Sequence, residues 1–167
     1  MSDAAATAWR TADTDGFRAA MARFAAGVVV VTTTDQDGTP RGFTATSFCS
    51  VSLTPPLVLV CLADTASAFG SFMACDDFAV SVLREDHSPI ATRFATSGAD
   101  KFRAADTALT PRLLPAVPGA LCELDCRVHD RHRAGDHVIL VGLVTGMRTG
   151  QGKPLVYYDR SYRRLNP

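Results

Sequence analysis

Gly42-Phe43-Thr44-Ala45-Thr46-Ser47-Phe48-Cys49-Ser50-Val51-Ser52-Leu53 is followed by Thr54-Pro55-Pro56 and then by the apolar run Leu57-Val58-Leu59-Val60-Cys61-Leu62. This stretch decides how the chain folds. Its first part is rich in small hydroxyl residues yet flanked by strongly apolar runs. One reading is a strand whose Ser/Thr face meets water. The other is a ligand-binding edge, where small side chains let a flat ring approach the backbone while hydroxyls and amides bond its polar rim. Composition alone favours the first. The double proline breaks the strand, and Leu57 to Leu62 predicts a strand buried on both faces.

Upstream, Val28 to Thr34 is a β-branched run and therefore a strand. The turn residues Asp35 to Pro40 join it to a returning strand from Arg41 to Ser47, which makes a hairpin. Before it, Thr14 or Asp15 is placed to cap a helix whose stripe of Phe17, Met21 and Phe24 predicts a core-facing side, with Gly27 just past its end. Residues 1–12 read as a flexible N-terminal arm, and residues 13–167 as a single domain. Downstream, Thr65 is placed to cap a helix to about Cys75, and Phe78 to Leu83 is a strand. Ser88-Pro89 opens a short helix to about Ala95. Thr96 to Pro118 reads as a long surface excursion. From Ala120 to Val128, Cys122, Leu124, Cys126 and Val128 alternate with Glu123, Asp125 and Arg127, the pattern of a half-buried strand. His137 to Met147 and Pro154 to Tyr158 are further strands. Strands at hairpin spacing with few helices disfavour a doubly wound parallel sheet. They predict a mainly β, closed or nearly closed antiparallel barrel with short helices around it.

The charge balance narrows the function. Lys+Arg 17 equals Asp+Glu 17, so no broad basic field exists for nucleic acid. No apolar run approaches bilayer length, and MSDAAATAWR reads as no secretory signal, so a cytoplasmic protein without membrane contact is expected. The chain's 5 cysteines, an odd number, predict free thiols. Neither GxGxxG nor a P-loop occurs, and there is no GxSxG elbow. His129, His132 and His137 match no standard ligand spacing, so no metal site is expected.

The ordered series is more specific than any of its parts. Ala26-Gly27-Val28-Val29-Val30-Val31-Thr32-Thr33 precedes the Gly42 to Leu53 stretch and Thr54-Pro55-Pro56-Leu57-Val58-Leu59-Val60. Phe78-Ala79-Val80-Ser81-Val82-Leu83, Gly135-Asp136-His137 and Pro154-Leu155-Val156-Tyr157-Tyr158 follow. In this order and spacing, from about Phe17 to Tyr162, the chain resembles the flavin reductase-like domain family. More narrowly, it resembles the short-chain reductases of two-component flavin-dependent monooxygenases. The resemblance implies a split antiparallel β-barrel of FMN-binding type, a homodimer, and NADH- or NADPH-dependent reduction of FAD or FMN for a separate monooxygenase. The alternative on the same barrel is a non-catalytic flavin-binding protein for storage or sensing.

The resemblance also implies a site. Thr44, Ala45, Thr46, Ser47, Ser50, Val51 and Ser52 would line the flavin ring and ribityl chain. Cys61, Leu62, Ser67 and Phe69 would lie along its tail. Lys101 beside Phe102 would meet the phosphate, a role that a helix opening near Thr65 could share. His137, with Asp136 fixing its tautomer, would orient the nicotinamide. Tyr158 would border that pocket. Thr46 and Ser81 stand where the family often has Asn; a hydroxyl keeps a donor and an acceptor but not the amide's second donor. From residue type alone, His137 and Lys101 would be solvated side chains, and the aromatics core.

Overall fold

The computed structural model describes residues 9, 11–102 and 106–165. The arm expected over residues 1–12 lies outside them but for residues 9, 11 and 12. The chain begins with α1 (Thr14–Met21) and β1 (Ala26–Gly27). The hairpin β2 (Val29–Thr34) and β3 (Pro40–Ala45) comes next, then β4 (Cys49–Leu53), β5 (Pro56–Ala63) and α2 (Phe69–Ala74). β6 (Asp77–Val82), a 3-10 turn (Glu85–His87) and α3 (Ser88–Ala95) follow. After a small hairpin of β7 (Ala108–Leu109) and β8 (Pro115–Ala116) come β9 (Cys122–Ala134), β10 (His137–Thr149), β11 (Leu155–Tyr158) and β12 (Ser161–Arg164).

Seven strands form one antiparallel sheet in the order β3-β2-β6-β9-β10-β5-β4, curled into a split barrel. No ladder joins β3 to β5 among the described residues, but the seam is bridged. The Ser47 hydroxyl accepts from the Cys61 amide at 3.0 Å and donates to the Cys61 carbonyl at 3.3 Å. The β-branched run of β2 is buried on both faces because two cores flank it. Val29 and Val31 point into the barrel with Phe43, Val60, Phe72, Phe78 and Leu140. Val28 and Val30 point out under α3 and β11, against Leu83, Ala91, Phe94, Val117 and Leu155. Buried hydroxyls brace this frame: Ser81 Oγ accepts from Val117 N at 3.0 Å, tying the segment after β8 to β6, and Thr33 Oγ1 of β2 donates to Asp77 O of β6 at 2.7 Å.

Several expectations are corrected. Asp13, not Thr14 or Asp15, caps α1, its carboxylate accepting from Gly16 N at 2.7 Å. The stripe of α1 is not core: Phe17, Met21 and Phe24 are 60%, 52% and 72% exposed. Periodicity shows that a helix has an apolar face, not that the same chain covers it. Gly27 ends no helix; it lies in β1, paired with Val156. β5 is fully buried on one face only, with Leu57, Leu59 and Cys61 half-buried on the other. α2 begins at Phe69, four residues after Thr65, and no side chain caps it. The 96–118 segment is no mere surface excursion, because Leu114, Ala116 and Val117 are buried. On β9, Glu123 and Asp125 are buried as well as their apolar neighbours; Arg148 of β10 lies against Glu123, Nη2 reaching both its carboxylate oxygens at 2.7 Å.

Candidate functional site

The open seam between β3 and β5 becomes a cleft of about 430 Å³. The end of β3 and the residues after it (Phe43, Thr44, Ala45, Thr46 and Ser47) form one wall, and Cys61 and Leu62 of β5 the other. The loop from Thr65 to Ala68 makes a floor of small side chains. A turn shapes that loop, with Ala66 N donating to Ala63 O and Phe69 N to Ala66 O. Phe94 and Ala95 of α3 supply an apolar end, and Lys101 and His137 the charged or polar margins.

Register explains how residues so far apart in sequence meet. His137 opens β10 opposite Ala63, the last residue of β5. The tight turn before it needs Gly135, whose φ of 62° is costly for other residues. Asp136 Oδ1 lies 2.7 Å from His137 Nδ1, and the Asp136 carbonyl accepts from Asp64 N at 3.0 Å. The histidine hydrogen bond holds the Asp136 carboxyl below the usual carboxylate range. The carboxylate selects the tautomer with the proton on Nδ1 and leaves Nε2 free for a ligand.

Lys101 is the cation of the cleft. Its Nζ donates to the Gly42 carbonyl at 3.1 Å, and no carboxylate pairs with it among the described residues. Burial pushes its ammonium below the usual lysine value. An ammonium has three donors, so this one has two to spare for an anion. Gly42 itself is required: a Cβ there would stand 2.9 Å from Phe94 Cε1 and from the Val31 carbonyl.

Thr44, Ala45, Thr46, Ser47, Cys61, Leu62, Ser67, Lys101 and His137 all line this cleft. The Thr44 hydroxyl, however, donates to the Ala91 carbonyl of α3 at 2.7 Å, so it fastens the helix to the wall. Other expected residues lie elsewhere. Ser50, Val51 and Ser52 are on β4, beyond β5, with a bulge at Val51. Phe69 packs against the barrel core. Phe102 stacks edge-on against Phe94 at 5.1 Å, and so supports the cleft through that ring. Asp136 acts through His137. Tyr158, on β11, is outside the cleft, and the helix expected to open near Thr65 for a phosphate is not there. Sequence reasoning missed Phe43, Ala63, Ala66, Ala68, Phe94 and Ser97. The run of small residues from Ala63 to Ala68 was the available signal. Among the described residues no cluster of metal-ligating side chains occurs, and no helix is long and apolar enough to cross a membrane.

The shape and donor set suit a flat, anionic ligand such as a flavin nucleotide. The walls carry small side chains and hydroxyls, the end is aromatic, and an unpaired ammonium stands at the margin. Comparison with known proteins agrees. A family model, the flavin reductase-like domain, matches residues 21–166. The actinorhodin polyketide dimerase of Streptomyces coelicolor is 50% identical over 92% of this chain and 88% of its own. The NADH:riboflavin 5′-phosphate oxidoreductase of Streptomyces pristinaespiralis is 43% identical over 90% of this chain and 88% of its own. The NADH:FAD oxidoreductase SgcE6 of Streptomyces globisporus C-1027, solved in complex with NAD and FAD fragments, superimposes with a TM-score of 0.87. It is 34% identical, covering 95% of this chain and 98% of that one. Further relatives are named as reductase subunits or components of monooxygenases, two of them flavin-dependent by name. Some relatives are longer, and the chain spans 65% of one and about half of two others, at 48% and 47%. The match over residues 21–166 places the chain in the flavin reductase-like domain family.

Proposed function

We infer that the protein is a flavin reductase that takes reducing equivalents from NADH, and that its flavin, FMN or FAD, lies in the cleft between β3, β5 and α3. The activity follows from family membership and from relatives named NADH:flavin oxidoreductases. The observation that carries the placement is Lys101: an ammonium with spare donors, held beside an apolar slot of small side chains. A bound flavin supplies the electron-accepting ring, so the chain need provide no acid or base of its own. Its residues bind and place. Thr46 and Ser47 offer hydroxyls and backbone amides to a polar ring edge. Ala45, Ala66 and Ala68 leave room for the ring face. Phe94 excludes water from one end, and Lys101 balances a phosphate. His137, its Nδ1 held by Asp136, presents Nε2 at the rim, where it positions a nicotinamide amide.

Relatives that are reductase components imply a separate monooxygenase that consumes the reduced flavin, and the family implies a homodimer. The test is NADH consumption by purified protein with and without FMN or FAD. Flavin-dependent turnover, lowered by His137→Ala without loss of flavin binding, is the expected result. Tight flavin binding with no turnover on NADH or NADPH overturns the reading in favour of a storage or sensing protein.

A further inference from the structure

On the outer face of the barrel a pocket of about 270 Å³ lies between the turn of the β7–β8 hairpin and the β9–β10 ladder. It shares no lining residue with the flavin cleft. We propose that this pocket binds a small organic cation, an ammonium or amidinium on a flat apolar body, with Asp125 as its counter-ion.

The alternation of β9 puts Asp125 there. Leu124 and Cys126 belong to the barrel core, so Glu123 and Asp125 point outward. The register sets Gly146 of β10 opposite Asp125, and the ladder bulges at Thr145. The Thr145 hydroxyl donates to the Asp125 carbonyl at 3.2 Å, which fixes the bulge. A Cβ on Gly146 would stand 3.8 Å from Asp125 Oδ2, so glycine there leaves that side of the carboxylate uncovered. The opposite wall is also held in place. The hydroxyl of buried Thr110 accepts from the amides of Arg112 and Leu114 at 3.2 and 3.3 Å. Arg112 Nη2 then donates to Asp77 Oδ2 of β6 at 2.8 Å and clamps the turn to the sheet.

The charges around the pocket pair off and leave one over. Arg148 is bonded to Glu123, and Arg112 to Asp77. Asp125 is 6% exposed, its Oδ1 is buried without a hydrogen-bond partner, and it forms no ion pair among the described residues. Arg112 feels the Asp125 charge, but its hydrogen bond to Asp77 is the larger influence on it. A carboxylate withdrawn from water is costly until a cation or an N–H reaches it. A donor entering past Gly146 would meet Oδ2. Leu109, Pro111 and Met147 supply apolar surface beside it, and Leu109 and Met147 are 66% and 76% exposed. Apolar jaws next to an unpaired carboxylate select a cationic nitrogen on an apolar body. The volume falls just below that of pockets for drug-sized molecules, about 300 Å³ and upward, which suits one ring with a short chain.

Calorimetric titration of the purified protein, with and without saturating FMN, tests this. The probes are 2-phenylethylamine and benzamidine, with 2-phenylethanol as the neutral near-isostere of the first. Both cations should bind at one site, and the amine about tenfold tighter than the alcohol, the worth of one charge-assisted contact. Asp125→Asn keeps the shape, drops the charge and should abolish that preference. Met147→Ala, at an exposed position, should weaken amine and alcohol alike by about threefold. Asp37→Asn, on the exposed β2–β3 turn, is the control and should change nothing. FMN should leave amine binding unaltered, and the amine should shift the amide resonances of Gly146 and Thr110. Failure of both cations to saturate, equal affinity for amine and alcohol, or a preference that survives Asp125→Asn overturns the proposal. So does competition by FMN, which would put the amine in the flavin cleft. If Asp125→Asn does not fold, unchanged amine affinity in Met147→Ala, or resonance shifts that spare Gly146, overturn it instead.

Discussion

Gly42→Ala is the substitution through which packing and function can be tested together. A Cβ at 42 meets three fixed neighbours: Phe94 Cε1 at 2.9 Å, the Val31 carbonyl at 2.9 Å and Thr32 Cγ2 at 3.1 Å. Phe94 is 1% exposed and meets Phe102 edge-on at 5.1 Å, so its ring has little room to retreat. The Val31 carbonyl belongs to the β2 ladder and cannot retreat at all without breaking register. Overpacking of this kind costs about 1–3 kcal/mol. For a domain of this size that corresponds to a fall in melting temperature of roughly 3–10 °C. The same strain moves the carbonyl that holds Lys101 and the ring that ends the cleft, so FMN affinity should fall with stability, by about tenfold if the Lys101 contact is lost. Thermal melts and fluorescence titration of FMN measure the two effects. A double-mutant cycle with Phe94→Leu locates the cause: the leucine should cost less in the Gly42→Ala background than in the wild type, with a coupling of about 0.5 kcal/mol or more. Additive effects, or a melting temperature within about 1 °C of the wild type, would refute the steric argument.

Lys101→Ala should weaken FMN and FAD about tenfold and riboflavin hardly at all, since riboflavin has no phosphate; equal weakening of all three in fluorescence titrations argues against the contact. Iodoacetamide on the native protein should label exposed Cys49 first and half-buried Cys61 more slowly, with FMN protecting Cys61. Cys126 should stay unlabelled, its thiol pushed up to about 12 by burial, and so should Cys75, which burial also raises; peptide mass spectrometry that finds Cys126 alkylated without denaturant contradicts the packing. His87 is buried with Nδ1 accepting from Arg84 N at 3.3 Å, and burial lowers its pKa below the ordinary histidine value. The unfolded chain therefore takes up that proton more readily, so His87 contributes full stability above about pH 6.5 and loses it as pH falls below that value. Urea midpoints should decline across that window in the wild type and less so in His87→Gln; equal slopes would remove His87 as the cause.

The strands of the barrel were legible because β-branched runs and turn residues are local signals. β2, β3, β6 and α3 fall within a residue or two of where Val28 to Thr34, Arg41 to Ser47, Phe78 to Leu83 and Ser88-Pro89 place them. What covers an element is not local. The stripe of α1 predicts an apolar face but cannot say that Phe17 and Phe24 remain exposed in the chain. Nor does the alternation of β9 reveal that Arg148, from the next strand, lies over Glu123. The cleft divides in the same way. Thr44 to Ser47 stand out as an unusual run, whereas Lys101 and His137 came from the family resemblance. Ser67 came with the resemblance too, whereas Phe94, Ala66 and Ala68 were not singled out as lining, because only the curl of the sheet brings them to the seam.

Ser47 has a consequence for how this scaffold varies. A residue of a neighbouring strand would offer Cys61 one backbone donor and one backbone acceptor; here a single hydroxyl offers both. The two sides of the opening are therefore spaced by a side chain rather than locked by a ladder. Replacing it leaves every strand in register while changing the gap. A barrel closed in this manner has an aperture adjustable one substitution at a time, so the breadth of ring system it admits can drift independently of the stability of the frame.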